Sequence, residues 1–505
     1  MARRPRAASW VPQLDRIDLD GDAGTPLSER IYRAVRAAIL EHLLPAGMQL
    51  PSTRQLAASL GVARNTVIAA QRRLAAEGYV DIAARSGMRV SAALPDPTAI
   101  APPPGALGQR RRRRADLSRR GRHLAARVQP LGRPWPAGAA TAPAFRPGLP
   151  ALDEFPRHLW SQLAARRARE PSFAWLGYED PAGAPALRAT LARYHRDQRG
   201  ADCSADQVIV TSGAQQAIDL AVRALLDPGD RAWVEDPGYP GAVGALLAGG
   251  ARLVPVPVDD AGIVVRAGIR AAPDARLAYV TPSRQWPLGV TMTLERRIEL
   301  LRWARERDAW IVEDDYDSGL RYAGRPLAAL QSIDADGRVL YVGTFSKLLF
   351  PGLRLGYLVA PPRLVEPLLR WRWVMDQRPH ALDQLALASF FDEGHFRRHV
   401  QRMRALYAER QALLVGLAGR RLAQWMELQP SDCGLDLVAR LAPGLDDERV
   451  ASLAAERGVE LRPLSRFSLG RRPRNGLVLG YAACSAREIE RGVAALADAL
   501  RSPRS

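Results

Sequence analysis

Val339-Leu340-Tyr341-Val342-Gly343-Thr344-Phe345-Ser346-Lys347 opens on four branched or aromatic apolar residues and closes on small polar ones. A short apolar run of this kind reads as a buried strand, and a lysine just past its end reads as a group displayed at the carboxyl rim of a sheet. Lys347 is the only lysine among 72 basic side chains in 505 residues; the rest are arginine. A GC-rich genome accounts for such a bias wherever a permanent cation suffices. An ammonium does one thing that a guanidinium cannot: it loses its proton near neutral pH and attacks a carbonyl carbon, whereas arginine stays protonated below about pH 12. Chance retention is the alternative, and the neighbours of Lys347 decide between the two.

Outward from that run, five others share its character: Gln207–Thr211, Arg231–Glu235, Leu253–Val256, Leu277–Thr281 and Trp310–Asp314. Helical stretches and turns separate them, which is the pattern of an α/β domain with a mostly parallel sheet. Sites in such sheets collect at the strands' carboxyl ends. There the sequence places Thr211-Ser212-Gly213-Ala214-Gln215, a strand turning into a helix through glycine, whose free amides suit a phosphate. Asp314-Asp315-Tyr316-Asp317 follows the Trp310 run, and Arg354 lies seven residues beyond Lys347. An amine, a buried carboxylate and an anion cradle are what pyridoxal phosphate requires. Taken singly, each has a plainer reading: turn chemistry for Gly213, a core aromatic for Tyr239, a helix cap for Asp314, a surface ion pair for Arg354.

The N-terminal part has a different rhythm. Ser28 is positioned to cap a helix with Ile31, Val35, Ile39 and Leu43 on its apolar face, ended by Pro45 and Gly47. Ser52 caps a second helix with Leu56 and Leu60 inward, Gly61 closes it, and a third runs from about Ala63 to Glu77 with Val67 and Leu74 inward. Two strands, Tyr79–Ile82 and Arg89–Ser91, flank an Arg85-Ser86-Gly87-Met88 turn. This is the order of a helix-turn-helix followed by a wing. Between the two parts, residues 92–144 carry ten arginines against two acidic residues, with Arg110–Arg114 unbroken and prolines on both sides. That composition reads as a basic linker. The expected organisation is a DNA-binding domain over 1–92, a linker over 93–144 and a large domain over 145–505, with a smaller subdomain from about 371.

Composition excludes several classes. At 47% hydrophobic residues the chain is built for packed cores, and a net charge of +19 favours a polyanionic partner. Cys203, Cys433 and Cys484 are far apart and odd in number, so neither a disulfide framework nor a metal site is expected. Met1–Arg6 is basic, but no apolar stretch follows before Asp15–Asp22, and no run reaches the length needed to span a bilayer. A cytoplasmic location is expected, with no membrane partner.

Two resemblances add to this. Leu50-Pro51-Ser52-Thr53-Arg54-Gln55-Leu56-Ala57, Leu60–Val67 and Glu77-Gly78-Tyr79-Val80 resemble the winged helix-turn-helix of GntR-type bacterial regulators over about sixty residues. The resemblance implies that the helix opening at Arg64-Asn65-Thr66 enters the major groove, that Ser52 and Arg54 hold phosphates or base edges, and that the Gly87 wing lies in the minor groove. Ala63 stands where that family usually has serine, so a cap is lost. Gly213–Gln215, Glu235–Tyr239, Thr281–Gly289, Glu313–Tyr316 and Gly343–Gly356 resemble fold-type I aminotransferases in the same order over roughly 360 residues. Together the halves look like a MocR-type regulator, a homodimer that binds a double-stranded operator and responds to an amino compound or to pyridoxal 5′-phosphate (PLP) itself.

The second resemblance implies a role for each matched residue. Lys347 would form the internal aldimine, Asp314 would pair with the pyridinium nitrogen, Tyr316 would hydrogen-bond the ring oxygen and Tyr239 would stack on the ring. Arg354, Thr344 and the amides at Gly213, Ala214 and Gln215 would hold the phosphate, and Tyr178 would reach the phosphate across a dimer with shared sites. Three positions depart from the pattern. Arg284 stands for a usual His, Trp286 for Phe or Tyr, and Asp436 for a frequent His. Leu477–Tyr481 lacks the arginine that commonly clamps a substrate carboxylate, which leaves Arg466 as the candidate. The groups for an aminotransferase half-reaction are present, so the competing reading is a working enzyme tethered to DNA. A structural nucleoid binder would have no use for a unique lysine in a site.

Overall fold

The computed structural model describes residues 25–83, 87–92, 117–127, 143–170, 177, 180–201, 203–323, 328–377, 380–470 and 473–501. Tyr178, the Arg85-Ser86 part of the wing turn, Arg110–Arg114 and the first 24 residues lie outside them. The chain divides into two compact units, Met1–Asp116 and Leu117–Ser505.

In the first unit, α1 (Leu27–Leu40), α2 (Thr53–Leu60) and α3 (Arg64–Ala76) precede an antiparallel pair, β1 (Val80–Ala83) and β2 (Gly87–Val90). Ser52 and Gln55 form a reciprocal capping box at the start of α2, and Gly61 ends that helix with φ +67. This left-handed position suits glycine, and it sets the turn into α3. Ala63 gives α3 no side-chain cap, as its identity requires. Two details at α1 differ from expectation. The helix begins after Pro26, so Ser28 lies inside it and caps nothing. Leu43 is 47% exposed and Leu44 1%, because α1 has already ended and the turn carries the next residue inward. The core is Ile31, Val35, Ile39, Leu56, Val67 and Leu74, closed from below by Val80, Met88 and Val90.

The second unit is built on an eight-stranded sheet of order β3-β10-β9-β8-β7-β4-β5-β6. The strands are β3 (Val208–Thr211), β4 (Arg231–Asp236), β5 (Arg252–Asp259), β6 (Gly262–Ile263), β7 (Leu277–Val280), β8 (Trp310–Asp315), β9 (Val339–Thr344) and β10 (Gly356–Val359). All six runs read from the sequence are strands, and the β5-β4-β7-β8-β9 stretch is parallel. β10 is inserted antiparallel between β3 and β9. Helices cover both faces, so β9 is buried throughout: Leu340 and Val342 face one core, Tyr341 the other. A smaller antiparallel sheet follows, made of β11 (Met426–Leu428), β12 (Asp436–Leu441), β13 (Arg462–Pro463) and β14 (Leu477–Gly480). A helix, Arg119–Arg127, occupies part of the stretch read as linker; none of its residues is buried. Among the described residues no helix is long and apolar enough to cross a membrane, and no cluster could hold a metal ion.

Leu74 is 1% exposed at the centre of the small first core. Leu74→Ala should cost about 2–5 kcal/mol, abolishing DNA binding by the full chain at a temperature where the second unit keeps its near-ultraviolet circular dichroism. Simultaneous loss of both signals would contradict separate cores.

Candidate functional site

Parallel strands with helices on both faces deliver their carboxyl ends to one rim. Lys347 sits just beyond β9, anchored by Phe345, which is 1% exposed and whose amide donates to the Leu355 carbonyl (3.1 Å). The Lys347 Nζ donates to the Gly148 carbonyl oxygen (2.7 Å). Burial pushes the amine below its usual range, and Asp436, Asp317 and Asp314 pull it partly back. An ammonium so placed gives up its proton more readily than a surface lysine.

Asp314 is the penultimate residue of β8 and is 4% exposed. Its Oδ2 accepts from the Tyr279 hydroxyl (2.6 Å), while Oδ1 is buried with no hydrogen-bond partner among the described residues. Burial raises its carboxyl to about 7. A buried acceptor left without a donor is costly unless a ligand supplies one. Glu235, at the end of β4, is also pushed up to about 7 by burial, against hydrogen bonds from the Thr281 hydroxyl (2.6 Å) and Gln285 Nε2 (3.1 Å).

The anion end lies beyond β3. Gly213 has φ +93 and caps the Ala214–Leu225 helix, whose first amides, at Ala214 and Gln215, have no intrahelical acceptor. Arg354 holds a left-handed backbone (φ 51), donates from Nη2 to the Ser212 carbonyl (3.1 Å), and lies 3.7 Å from where a Gly213 Cβ would stand. A side chain at Gly213 would therefore fill the space between guanidinium and helix end. Thr344 Oγ1 lies 3.2 Å from Ser346 Oγ at the same rim. Tyr239 donates its hydroxyl to Gln215 Oε1 (3.4 Å), and burial pushes its phenol up to about 12.

Opposite the cradle, Arg284 is 2% exposed. Its Nη1 donates to the Tyr316 hydroxyl (3.1 Å) and to Asp317 Oδ2 (3.3 Å), and its Nη2 to the Asp436 carbonyl oxygen (2.6 Å). Both terminal nitrogens are thus engaged within the protein wall, while Nε is buried with no hydrogen-bond partner among the described residues. Arg466 is a surface residue in a bidentate pair with Glu448 (3.0 and 2.6 Å).

The rim thus gathers Lys347, Asp314, Tyr316, Tyr239, Gly213, Ala214, Gln215, Thr344 and Arg354. Tyr279 and Gly148 were not legible as partners. Tyr279 carried a signal: it pairs with Val312 across the strands, which places it on the face of Asp314 two residues on. In the first unit Ser52, Arg54, Arg64, Asn65 and Gly87 are exposed and Thr66 is half-buried. Arg64 Nε donates to Thr53 Oγ1 (3.2 Å), linking the starts of α2 and α3.

A winged helix-turn-helix joined to an aminotransferase-type unit with a lysine at its rim defines a class of DNA-binding sensor proteins. Comparison with known proteins bears this out. Residues 27–90 match the gntR family of bacterial regulatory proteins, and residues 159–496 match aminotransferase class I and II. The probable rhizopine catabolism regulatory protein MocR of Rhizobium meliloti is 43% identical over 482 residues, 95% of each chain. The pyridoxine biosynthesis regulator PdxR of Corynebacterium glutamicum is 30% identical over 96% of this chain and 98% of its own. Among solved structures, LysN of Thermus thermophilus, an α-aminoadipate aminotransferase complexed with N-(5′-phosphopyridoxyl)-L-leucine, superposes with a TM-score of 0.67 at 29% identity, over 75% of this chain and 96% of its own. The chain belongs to the MocR-type regulators, with a GntR-type head and a class I and II aminotransferase domain.

The side chains present fit PLP. The orphaned Asp314 Oδ1 offers an acceptor to a ring N–H, Lys347 offers the amine, and the Gly213 helix end with Arg354 offers an anion cradle. A pH signature follows. An unfolded carboxyl titrates near 4, so between about pH 4 and 7 the folded cofactor-free protein keeps protons on Asp314 and Glu235 that the unfolded chain has lost. Stability therefore falls as pH rises through this window, by at most about 1.4 kcal/mol per pH unit per group. A ring N–H facing Asp314 favours its ionised form and removes one contribution. Thermal denaturation from pH 5 to 7 should show a steeper decline without PLP than with it; equal slopes would contradict the assignment.

Proposed function

We propose that this protein is a PLP-dependent transcriptional regulator whose second unit reads an amine and whose first unit reads an operator. The observation that carries the reading is the chain's one lysine, held beside a buried carboxylate whose second oxygen has no donor among the described residues. PLP supplies an aldehyde able to exchange one amine for another. The protein's residues do the rest. Asp314 would hold a proton on the ring nitrogen, and Tyr279 fixes the orientation of Asp314. Tyr239 would cover the ring, Tyr316 would hydrogen-bond the ring oxygen, and Arg354, Thr344 and the Gly213, Ala214 and Gln215 amides would hold the phosphate. Lys347 would carry the cofactor, and when an effector amine took its place the Nζ would have an acceptor at the Gly148 carbonyl.

Arg64, Asn65 and Thr66 at the start of α3 read the major groove, Ser52 and Arg54 fix the head on the backbone, and Gly87 belongs to the wing. The protein works in the cytoplasm as a homodimer, with Tyr178 serving the partner subunit's phosphate. Relatives that match both units are named as regulators, which favours this reading over an aminotransferase with a tethering head. An amine acts on DNA binding only if the two arrangements of the chain bind it with different affinity.

Arg64→Ala should weaken binding to the cognate operator by about 1–3 kcal/mol while sparing non-specific DNA. An equal loss on every sequence would make Arg64 a phosphate contact. Lys347→Ala should retain operator binding but lose its response to amines; a response that persists in this variant would overturn the sensing mechanism.

A further inference from the structure

Around the Lys347 amine the buried charged groups are mostly acids. Asp314, Asp317 and Asp436 are 4%, 2% and 3% exposed, and all three act electrostatically on Lys347. With PLP in place Asp314 would be taken by the ring nitrogen. The other two remain. Asp317 is half-satisfied: Oδ2 accepts from Arg284 (3.3 Å), while Oδ1 is buried with no partner among the described residues. Asp436 begins β12, and its Oδ1 accepts from the Gly148 amide (2.6 Å). No other hydrogen bond reaches its carboxylate among the described residues. Gly148 thus bridges the two groups, with its carbonyl on Lys347 and its amide on Asp436.

An α-amino acid effector needs the opposite surroundings, a cation with spare donors. Arg284 commits both terminal nitrogens to the protein, and its one donor without a partner among the described residues, Nε, is buried and packed against Gly434, 2.7 Å from where a Cβ there would stand. Arg466 is tied to Glu448 at the surface. Arg462, on β13, is the remaining cation that acts on Lys347, and it shares Glu460 with Arg146 (3.5 and 3.7 Å). A carboxylate brought to Lys347 would meet Asp317 and Asp436, and like charges in a buried site repel. A hydroxyl or ammonium would instead satisfy oxygens that lack donors among the described residues, and hydrogen bonds to charged groups are the stronger kind.

We infer that Asp436 selects the effector, and that the effector is a primary amine carrying a second hydrogen-bond donor, a hydroxyl or another amine, and no carboxylate. Asp317 assists and the Gly148 amide orients the selecting oxygen. The inference rests on Lys347 being the PLP-bearing amine.

The test is an absorbance titration of full-length holoprotein with matched four-carbon amines: 1,4-diaminobutane, 4-aminobutan-1-ol, butylamine, 4-aminobutanoate and 2-aminobutanoate. The diamine and the amino alcohol should half-saturate the visible spectral change at concentrations at least about tenfold below the two carboxylates. Asp436→Asn keeps an acceptor for Gly148 and removes the charge; it should cut the diamine's advantage by about tenfold. Carboxylates that bind as well as the diamine, a ranking unchanged in Asp436→Asn, or no shift with any of the five would overturn the proposal. If the variant fails to hold PLP, the wild-type ranking decides alone. A wild-type protein with no visible band before any amine is added refutes the cofactor reading itself, an outcome distinct from a wrong ranking.

Discussion

The second unit depends on one constraint: a primary amine must be kept largely out of water without being neutralised outright by a single partner. Burial lowers the proton affinity of Lys347, and three carboxylates at graded positions restore part of it. Only a sheet that brings the ends of β8 and β9 side by side, with β12 of the smaller sheet facing them, assembles those groups. The fully buried strands serve this geometry. Their side chains fill cores on both faces, so the polar groups are confined to the rim where the strands end.

Much of this was legible in the sequence because it is local. Six strands were visible as short apolar runs, the head as two helices joined at Gly61, and the candidate cofactor residues as polar groups just past strand ends. What the sequence could not reveal is long-range. Gly148 meets Lys347 across 199 residues, and backbone atoms leave no mark in residue identity. β10 was missed because Gly356–Val359 is only four residues long and follows a turn, and its antiparallel insertion depends on partners far away in the chain. Leu43 and Leu44 were exchanged because helical periodicity was extended past the true end of α1. Arg466 has the right residue type near the right strand, yet Glu448, eighteen positions away, holds it at the surface.

The departures from the family pattern acquire a physical meaning together. Arg284 brings a cation to the site, but Asp317, the Tyr316 hydroxyl and the Asp436 carbonyl occupy both its terminal nitrogens, and its Nε is buried. What the site then presents beside Lys347 is acceptor oxygen. A regulator gains specificity this way at little cost, because a buried polar group that stays unpaired with the wrong ligand discriminates more sharply than apolar fit. Discrimination at the rim matters for transcription only through differential affinity between two arrangements of the chain, so the same contacts that select the effector also set the size of the response.

The central claim is that Lys347 carries the cofactor. Borohydride reduction of the holoprotein, followed by proteolysis and peptide mass mapping, tests it most directly. The account predicts a phosphopyridoxyl group on the peptide containing Lys347; an unmodified Lys347 in protein that had bound PLP would contradict it.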